Sequence, residues 1–275
     1  MKRISLVLLS MTIGAMSYAQ EIGVQLYTFR KQIPGDVAGM HKRIHEMGIK
    51  ELEGGDTYGL SMDEYKKILA DNDLKMVSIG VDYNRLDQLY GVIQQAKAFG
   101  ATYVTCTWIP HKGMQLTEEE AIEAAKRFNN AGGILRKNGL TLCYHPHGYE
   151  FAKYKEKYTM LDLMINGTYP DDVKFEMDVF WIKQAGQDPV KLLKSYRSRW
   201  VLLHLKDREK DLPFTQDGKA DENTNVVLGT GDVNIAAVME AAKSIGIKHA
   251  FIEDESSKPL EQVPASLAYL KTIMK

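Results

Sequence analysis

The chain has 275 residues, of which 44% are hydrophobic and 26% charged, a composition typical of globular proteins and not of disordered chains. Its 35 basic and 36 acidic residues give a net charge of -1, which argues against the basic surface that nucleic-acid binding requires. Two cysteines, Cys106 and Cys143, are too few for a disulfide framework. We expect two buried thiols, with a single bridge as the alternative.

The N-terminal segment has the pattern of a secretory signal. Met1-Lys2-Arg3 is basic, residues 4–16 are mostly apolar, and Ser17-Tyr18-Ala19 precedes Gln20. The apolar run is too short for a stable transmembrane helix, and no cysteine stands at the expected cut to accept a lipid. We therefore predict a signal peptide at 1–19, a mature chain at 20–275 and an exported protein, periplasmic or secreted. A buried N-terminal helix is the alternative.

Strand-like and helix-like segments alternate along the rest of the chain. Strands are predicted at 22–29, 50–53, 74–81, 102–108, 141–145, 173–180, 200–205 and 248–252. Helices are predicted at 35–48, 61–72, 86–99, 117–137, 159–166, 188–196, 233–245 and 259–274, with a long polar loop at 207–232. Ser61 and Glu64 have capping-box spacing, and Asp188 before Pro189 is typical of a helix start.

The alternation predicts the fold. Strands that alternate with helices imply a parallel sheet. Eight such units, in a mature length near the roughly 250 residues typical of the fold, predict a single-domain (βα)8 TIM barrel. A doubly wound open sheet usually has a glycine-rich turn after its first strand. The segment Arg30-Lys31-Gln32-Ile33-Pro34 contains no glycine, so the barrel is favoured.

Polar side chains stand at the ends of four consecutive predicted strands: His145, Asp178, His204 and Glu253. Side chains alternate faces along a strand, so the apolar neighbours can face the helices while these four face the barrel mouth, where such barrels bind substrates. Buried acids and imidazoles are costly without a cation, so the set predicts a divalent metal, with Mn²⁺, Co²⁺ or Zn²⁺ better suited than Ca²⁺. Taken singly, a histidine at a strand end is more often structural than a ligand, and Asp178 or Glu253 could form an ion pair with Lys174 or Lys206.

Other side chains near these strand ends are candidates for catalysis and substrate binding. The candidates for the base that takes the substrate proton are, in order of preference, Glu253, His147 and His145. Lys206 is predicted to stabilise the negative charge of the enediolate, and an ion pair with Asp178 or Asp207 is the alternative role for this lysine. Substrate contacts are predicted for Trp108, His111, Glu150 and Trp181. Core packing is the alternative for the aromatic residues. For Glu150 the alternative is a hydrogen bond that orients a metal-bound imidazole. The Gly229-Thr230-Gly231 turn is either an anion cradle or a helix entry.

Several segments together resemble the xylose-isomerase-like sugar isomerase/epimerase superfamily over the whole mature chain. They are Gly23-Val24-Gln25-Leu26-Tyr27, His145-Pro146-His147 with Glu150-Phe151, Met177-Asp178-Val179-Phe180-Trp181, His204-Leu205-Lys206-Asp207 and Gly229-Thr230-Gly231-Asp232. The resemblance implies a TIM barrel with a Glu–Asp–His–Glu metal set on strands five to eight. Asp178, His204 and Glu253 match its last three members.

Three positions depart from the family pattern. His145 stands where many members have a glutamate that, together with the last glutamate, moves protons on the two faces of the substrate carbon. Trp181 and Gly80 stand where relatives often have histidine. The two-carboxylate proton relay therefore does not carry over to this chain.

The function predicted from the sequence is a divalent-metal-dependent sugar isomerase or epimerase that removes a proton next to a carbonyl. The alternatives are a 3-keto-glycoside lyase or hydratase and a non-catalytic sugar-binding protein on the same scaffold. A metal-dependent endonuclease is opposed by the balanced charge. The expected partner is a small-molecule sugar or keto-glycoside, with no nucleic acid and no membrane; an oligomer is left open.

Overall fold

A computed structural model of the protein describes residues 20–274, so the predicted signal peptide lies outside the described residues. Eight parallel strands form a closed barrel. They are β1 (Glu21–Gln25), β2 (Glu51–Gly54), β3 (Lys75–Val81), β4 (Tyr103–Cys106), β5 (Thr141–Tyr144), β6 (Val173–Asp178), β7 (Trp200–Leu205) and β8 (His249–Ile252). Each strand pairs with its neighbours in sequence, and β1 closes the barrel against β8. The predicted (βα)8 barrel is confirmed.

Helices follow the strands and cover the outside of the barrel. They are α1 (Val37–Glu46), α2 (Met62–Asp71), α3 (Leu89–Phe99), α4 (Glu118–Lys137), α5 (Met160–Gly167), α6 (Val179–Gln184), α7 (Pro189–Ser195), α8 (Ile235–Ile245) and α9 (Pro259–Ile273). The capping box at Ser61 and Glu64 and the Asp188–Pro189 start of α7 are confirmed. No helix among residues 20–274 is long and apolar enough to cross a membrane.

Four predicted strands end earlier than expected, at Gln25, Cys106, Tyr144 and Asp178, and a helical turn directly follows two of them. Residues 26–29 form a 3₁₀ turn, Leu26–Phe29, whose start is capped by the Gln25 side chain. Residues 179–180 belong to α6, because the Asp178 carboxylate accepts hydrogen bonds from the backbone N–H groups of Phe180 and Trp181 and begins a helix there. An apolar run such as this one is equally compatible with a strand and a buried helix in sequence alone.

The interior of the barrel changes from apolar to polar along the strands. Cys143, Leu202 and Phe251 form a small buried apolar cluster. Two residues further along the same strands stand His145, His204 and Glu253, on the same strand face. Cys106 and Cys143 are buried free thiols, as expected, and the alternative of a disulfide bridge between them is not observed. His145, His204 and Glu253 thus lie at the carboxyl ends of their strands, one layer above this apolar cluster.

The long loop after β7 is held in place by one carboxylate. Asp207 accepts hydrogen bonds from the backbone N–H groups of Arg208, Gly229, Gly231 and Val233 at 2.8 to 3.0 Å. The N–H groups that a free anion would use in the Gly229-Thr230-Gly231 turn are therefore bound to a side chain of the protein. The turn is a helix entry, and the anion-cradle alternative is wrong.

Candidate active site

Four side chains predicted from separate strand ends lie together in the barrel. His145 directly follows β5, Asp178 ends β6, His204 lies on β7 and Glu253 directly follows β8. All four are buried, with Glu253 the most exposed at 8%. The closed barrel brings them together because parallel strands end at the same rim.

Three of these residues can direct donor atoms at one point. One ligand atom from each of His145, Asp178 and His204 lies within 4.8 Å of the others. The Asp178 Oδ2 atom is 3.7 Å from His145 Nε2 and 4.0 Å from His204 Nδ1. Glu253 joins them through its Oε2 atom, 3.2 Å from His204 Nδ1. Donors around one tetrahedral zinc stand about 3.4 Å apart, so these separations suit a small divalent cation.

Two further acids, which the sequence analysis did not assign to the site, lie beside the same histidines. Glu176 Oε2 is 3.0 Å from His145 Nδ1 and 3.3 Å from His204 Nε2. Glu53 Oε1 is 3.3 Å from His204 Nε2 and accepts a hydrogen bond from Gln25. Glu53, Glu176 and His204 form a second group that could hold a metal. Glu176 had a sequence signal, because it is two residues before Asp178 and therefore on the same face of β6.

Unpaired polar atoms mark the site as incomplete without a cation. In the described part of the chain, the buried atoms without a hydrogen-bond partner include His145 Nε2, Asp178 Oδ2, Glu53 Oε2 and Glu176 Oε1. A buried acceptor without a partner costs about 1 to 3 kcal/mol, and more if charged. Two imidazoles with carboxylates are a donor set that zinc, manganese and cobalt accept. The residues present therefore fit a divalent metal.

A buried lysine completes the charge balance of the site. Lys206 Nζ is 3.0 Å from Glu255 Oε2, 3.3 Å from Glu253 Oε2 and 4.0 Å from Asp178 Oδ2. It also lies over the rings of Phe180 and Trp181, at 5.2 and 5.4 Å from their centroids. Burial would lower the pKa of Lys206, but Glu253, Glu255 and Asp178 outweigh it and raise the pKa. Lys206 is therefore a fixed positive charge beside Glu253.

The environment gives the titratable groups different charges. Burial lowers the pKa of His147 to about 4. Burial also lowers the pKa of His145, and the positive charge of His204 lowers it further, to well below its usual value. For His204, burial acts in the same direction, but Glu176, Glu253 and Glu53 outweigh it and hold its pKa well above its usual range. Burial opposes ionisation of Glu253, yet Lys206 and His204 hold its pKa well below its usual range. Two imidazoles are thus neutral at neutral pH while Glu253 is charged.

The predicted substrate-contacting aromatic residues form one wall next to His147. Its ring is 5.6 Å from Trp108 and 5.5 Å from Trp181, measured between centroids. Trp108 is 41% exposed, whereas Trp181 is buried. His111 packs on Trp108 and Tyr149 at 5.2 and 4.2 Å. The wall joins an exposed aromatic surface to the candidate site, and its contact with a substrate stays a prediction.

Glu150 lies behind this wall and holds the loop that carries the histidines. It is fully buried, and its carboxylate accepts hydrogen bonds from the Tyr144 hydroxyl and the backbone N–H groups of His147 and Gly148. Burial raises the pKa of Glu150 to about 7. These contacts describe a structural support of the His145–His147 loop, and the substrate contact predicted for Glu150 stays a prediction.

A family model described as a xylose isomerase-like TIM barrel matches residues 41–273. The chain belongs to this family. Among curated proteins it is similar to an inosose dehydratase from Clostridium perfringens, 25% identical over 258 residues, a match that covers 82% of this chain and 85% of that protein. An inosose dehydratase from Clostridium tetani is 28% identical over 131 residues, 44% of this chain and 42% of that protein.

Solved structures of the family share the fold. A sugar phosphate isomerase/epimerase from Parabacteroides distasonis superposes with a TM-score of 0.77 at 24% identity, covering 92% of this chain and 98% of that one. The IolI protein with a bound zinc atom gives 0.72 at 15% identity, covering 93% and 98%. A probable 3-DHS dehydratase, AsbF, from Bacillus anthracis gives 0.73 at 16% identity, covering 92% and 99%. At these identities the likeness establishes the xylose isomerase-like barrel and no particular reaction.

Proposed function

We propose that the protein is a divalent-metal-dependent lyase that eliminates water or an alcohol from a cyclic keto-sugar or keto-cyclitol. The observation that carries the proposal is the convergence of His145, Asp178, His204 and Glu253 at one strand-end rim, next to the buried cation of Lys206. The proposed metal ligands are these four residues, with manganese, cobalt or zinc as the metal.

A divalent cation held there would polarise the substrate carbonyl and make the adjacent C–H bond more acidic. Glu253 is charged at neutral pH and takes that proton. Lys206, held 3.3 Å from Glu253, stabilises the negative charge that develops on the substrate oxygen. His147, flanked by Trp108 and Trp181, is neutral at neutral pH and orients a water molecule that gives a proton to the departing oxygen. The hydroxide that is left takes back the proton held by Glu253. The C–H bond and the neighbouring C–O bond break, which leaves an unsaturated ketone and water or an alcohol.

Elimination is preferred over epimerisation because of the state of His145. Epimerisation needs a proton carrier on each face of the substrate carbon. His145 has its Nδ1 atom against Glu176 and its pKa well below the usual value, so it is poorly suited to be the second carrier. The similarity to inosose dehydratases, whose name states a dehydration, points the same way.

The test is incubation of the metal-loaded protein with a keto-cyclitol, with a 3-keto-glucoside and with free aldoses and ketoses in D₂O. We expect release of water or of the aglycone together with an unsaturated ketone that absorbs in the ultraviolet. Deuterium next to the carbonyl of the recovered substrate or of its isomer, without bond cleavage, would instead establish the isomerase or epimerase. The same sample after metal removal is the control.

We also propose that the mature protein is exported, on the strength of the basic and apolar pattern of residues 1–19. Expression of the full-length chain in a bacterium with fractionation of the periplasm tests this. Recovery of a protein that begins at Gln20 is the expected result, and an uncut protein confined to the cytoplasm would contradict it.

A further inference from the structure

One carboxylate oxygen lies against both histidines of the site. Glu176 Oε2 is 3.0 Å from Nδ1 of His145 and 3.3 Å from Nε2 of His204. The two imidazole rings are 4.5 Å apart and nearly perpendicular, at 74°. Glu176 is fully buried, so water does not compete for its oxygens. This oxygen is hydrogen-bonded to Nδ1 of His145, whereas the hydrogen-bond partner of His204 Nε2 is Oε1 of Glu53, at 3.3 Å.

The contact decides which nitrogen of the His145 ring is left to bind a ligand. A neutral imidazole has one N–H and one lone pair, so a carboxylate that accepts N–H from Nδ1 of His145 leaves the lone pair on Nε2. That Nε2 atom has no hydrogen-bond partner and lies 3.7 Å from Oδ2 of Asp178. In His204 the carboxylate that accepts from Nε2 is that of Glu53, and Nδ1 lies 4.0 Å from Asp178 and 3.2 Å from Glu253.

We propose that Glu176 is a positioning residue that orients the imidazole of His145 and selects Nε2 of His145 as the metal donor. The inference rests on the metal site of the proposed function. It does not depend on which reaction the site performs.

The neighbouring acid provides a natural comparison. Glu53 approaches His204 alone, at 3.3 Å from the same Nε2 atom, and is otherwise bound to Gln25. Both glutamates are fully buried. Loss of Glu176 should therefore disturb the His145 ring, whereas loss of Glu53 should disturb only His204.

The experiment compares E176M, which keeps the volume but removes the acceptor, with E176Q, which keeps one acceptor, and with E53M as the matched control. The nitrogen-15 resonances of the histidines in the metal-free proteins report which nitrogen of His145 carries the proton. Zinc affinity by competition with a chelator, the zinc content per chain and the thermal unfolding midpoint are measured on the same samples.

We expect wild-type His145 to have its proton on Nδ1, and E176M to show a mixture of the two tautomers. Zinc binding should weaken about 10- to 100-fold in E176M, as for other groups that orient metal-bound histidines. In E176Q the tautomer should stay that of the wild type and the affinity should fall less. In E53M the His145 tautomer should be unchanged.

Three results would overturn the inference. One is the finding that His145 of the wild-type protein carries its proton on Nε2. This measurement needs no variant, so it can be made even if E176M does not fold. Another is an E176M protein whose tautomer and zinc affinity equal those of the wild type. The third is two zinc ions per wild-type chain and one per E176M chain, which makes Glu176 a metal ligand. A protein with the expected tautomer and zinc affinity but no elimination would contradict only the proposed function.

Discussion

Glu253 and Asp178 are buried carboxyl groups of one site, yet their neighbours give them different charges. Burial and the charge of Glu253 raise the pKa of Asp178 to about 7, although Lys206, 4.0 Å away, acts in the opposite direction. Glu253, with Lys206 at 3.3 Å and His204 at 3.2 Å, has its pKa well below the usual value. Groups whose environments push their pKa values apart are suited to different roles. We therefore assign proton removal to Glu253 rather than Asp178.

This assignment predicts the effect of Glu253→Gln. The amide cannot accept the substrate proton, so elimination and deuterium exchange next to the carbonyl should both fall by about 100- to 10,000-fold. Rates are measured with the substrates named above, and metal content is measured in parallel because Glu253 is also a proposed ligand. Glu255→Gln is the matched control, since Glu255 contacts Lys206 at 3.0 Å without a proposed proton transfer. If both variants lost the same fraction of activity, the loss would come from the altered surroundings of Lys206 and not from removal of the base.

A separate outcome is expected for His147→Gln. If His147 serves the departing oxygen, the variant should still exchange the substrate proton with D₂O while product release falls by about 100-fold or more. Deuterium in recovered substrate, followed by mass spectrometry, distinguishes the two steps. A variant that loses exchange and elimination to the same degree would make His147 part of proton removal.

The buried acid of Glu150 predicts a pH dependence of stability. Its pKa is raised by burial from 4.5 to about 7, so the folded protein holds a proton that the unfolded chain releases at lower pH. The stabilisation is complete below about pH 4.5 and is lost as the pH rises to about 7. In Glu150→Gln this contribution is absent. The difference in unfolding free energy, wild type minus variant, should fall between these pH values.

Urea unfolding of the metal-free wild type and Glu150→Gln at several pH values measures this difference. Subtracting the two curves removes the contributions of the other titrating groups, such as His147. A difference that is flat, or that rises with pH, would mean that the Glu150 proton is lost as readily in the folded protein as in the unfolded chain.

At the scale of elements, the loop after β7 depends on Asp207. Four backbone N–H groups donate to its carboxylate, and Asp207 is buried. We predict that Asp207→Ala destabilises the protein by about 2 to 4 kcal/mol, because several buried N–H groups lose their acceptor. Chemical unfolding measures the change. Glu209→Ala, at an exposed position of the same loop, is the control and should stay within about 0.5 kcal/mol of the wild type.

For the whole molecule, a bound metal should raise stability, because it binds the assembled barrel and not the unfolded chain. At a free zinc concentration 100 times the Kd, the gain should be about 2.7 kcal/mol. Thermal unfolding with zinc and with a chelator measures it. His145→Gln, which removes a proposed ligand, should lose most of the gain. An equal midpoint with and without zinc in the wild type would count against the metal site.

The sequence predicted the barrel because its main signal, alternation of strand and helix, is local and repeated. The rim residues His145, Asp178, His204 and Glu253 followed from the rule that parallel strands share an end. Glu176 and Glu53 were missed because they stand deeper in the barrel, where an apolar layer is the usual expectation. Their proximity to the histidines depends on the closure of the sheet, which brings β2 next to β6 and β7 across the interior.

The strand pairing that closes the barrel also sets when the site can form. Glu21 on β1 pairs with His249 on β8, near opposite ends of the described chain. Because such distant contacts form late and slowly, a growing polypeptide has no complete rim until almost all of it has been synthesised. A truncated product that stops before His249 would expose the edge of β1 and lack the proposed base. The protein should therefore become active only when β8 has paired with β1.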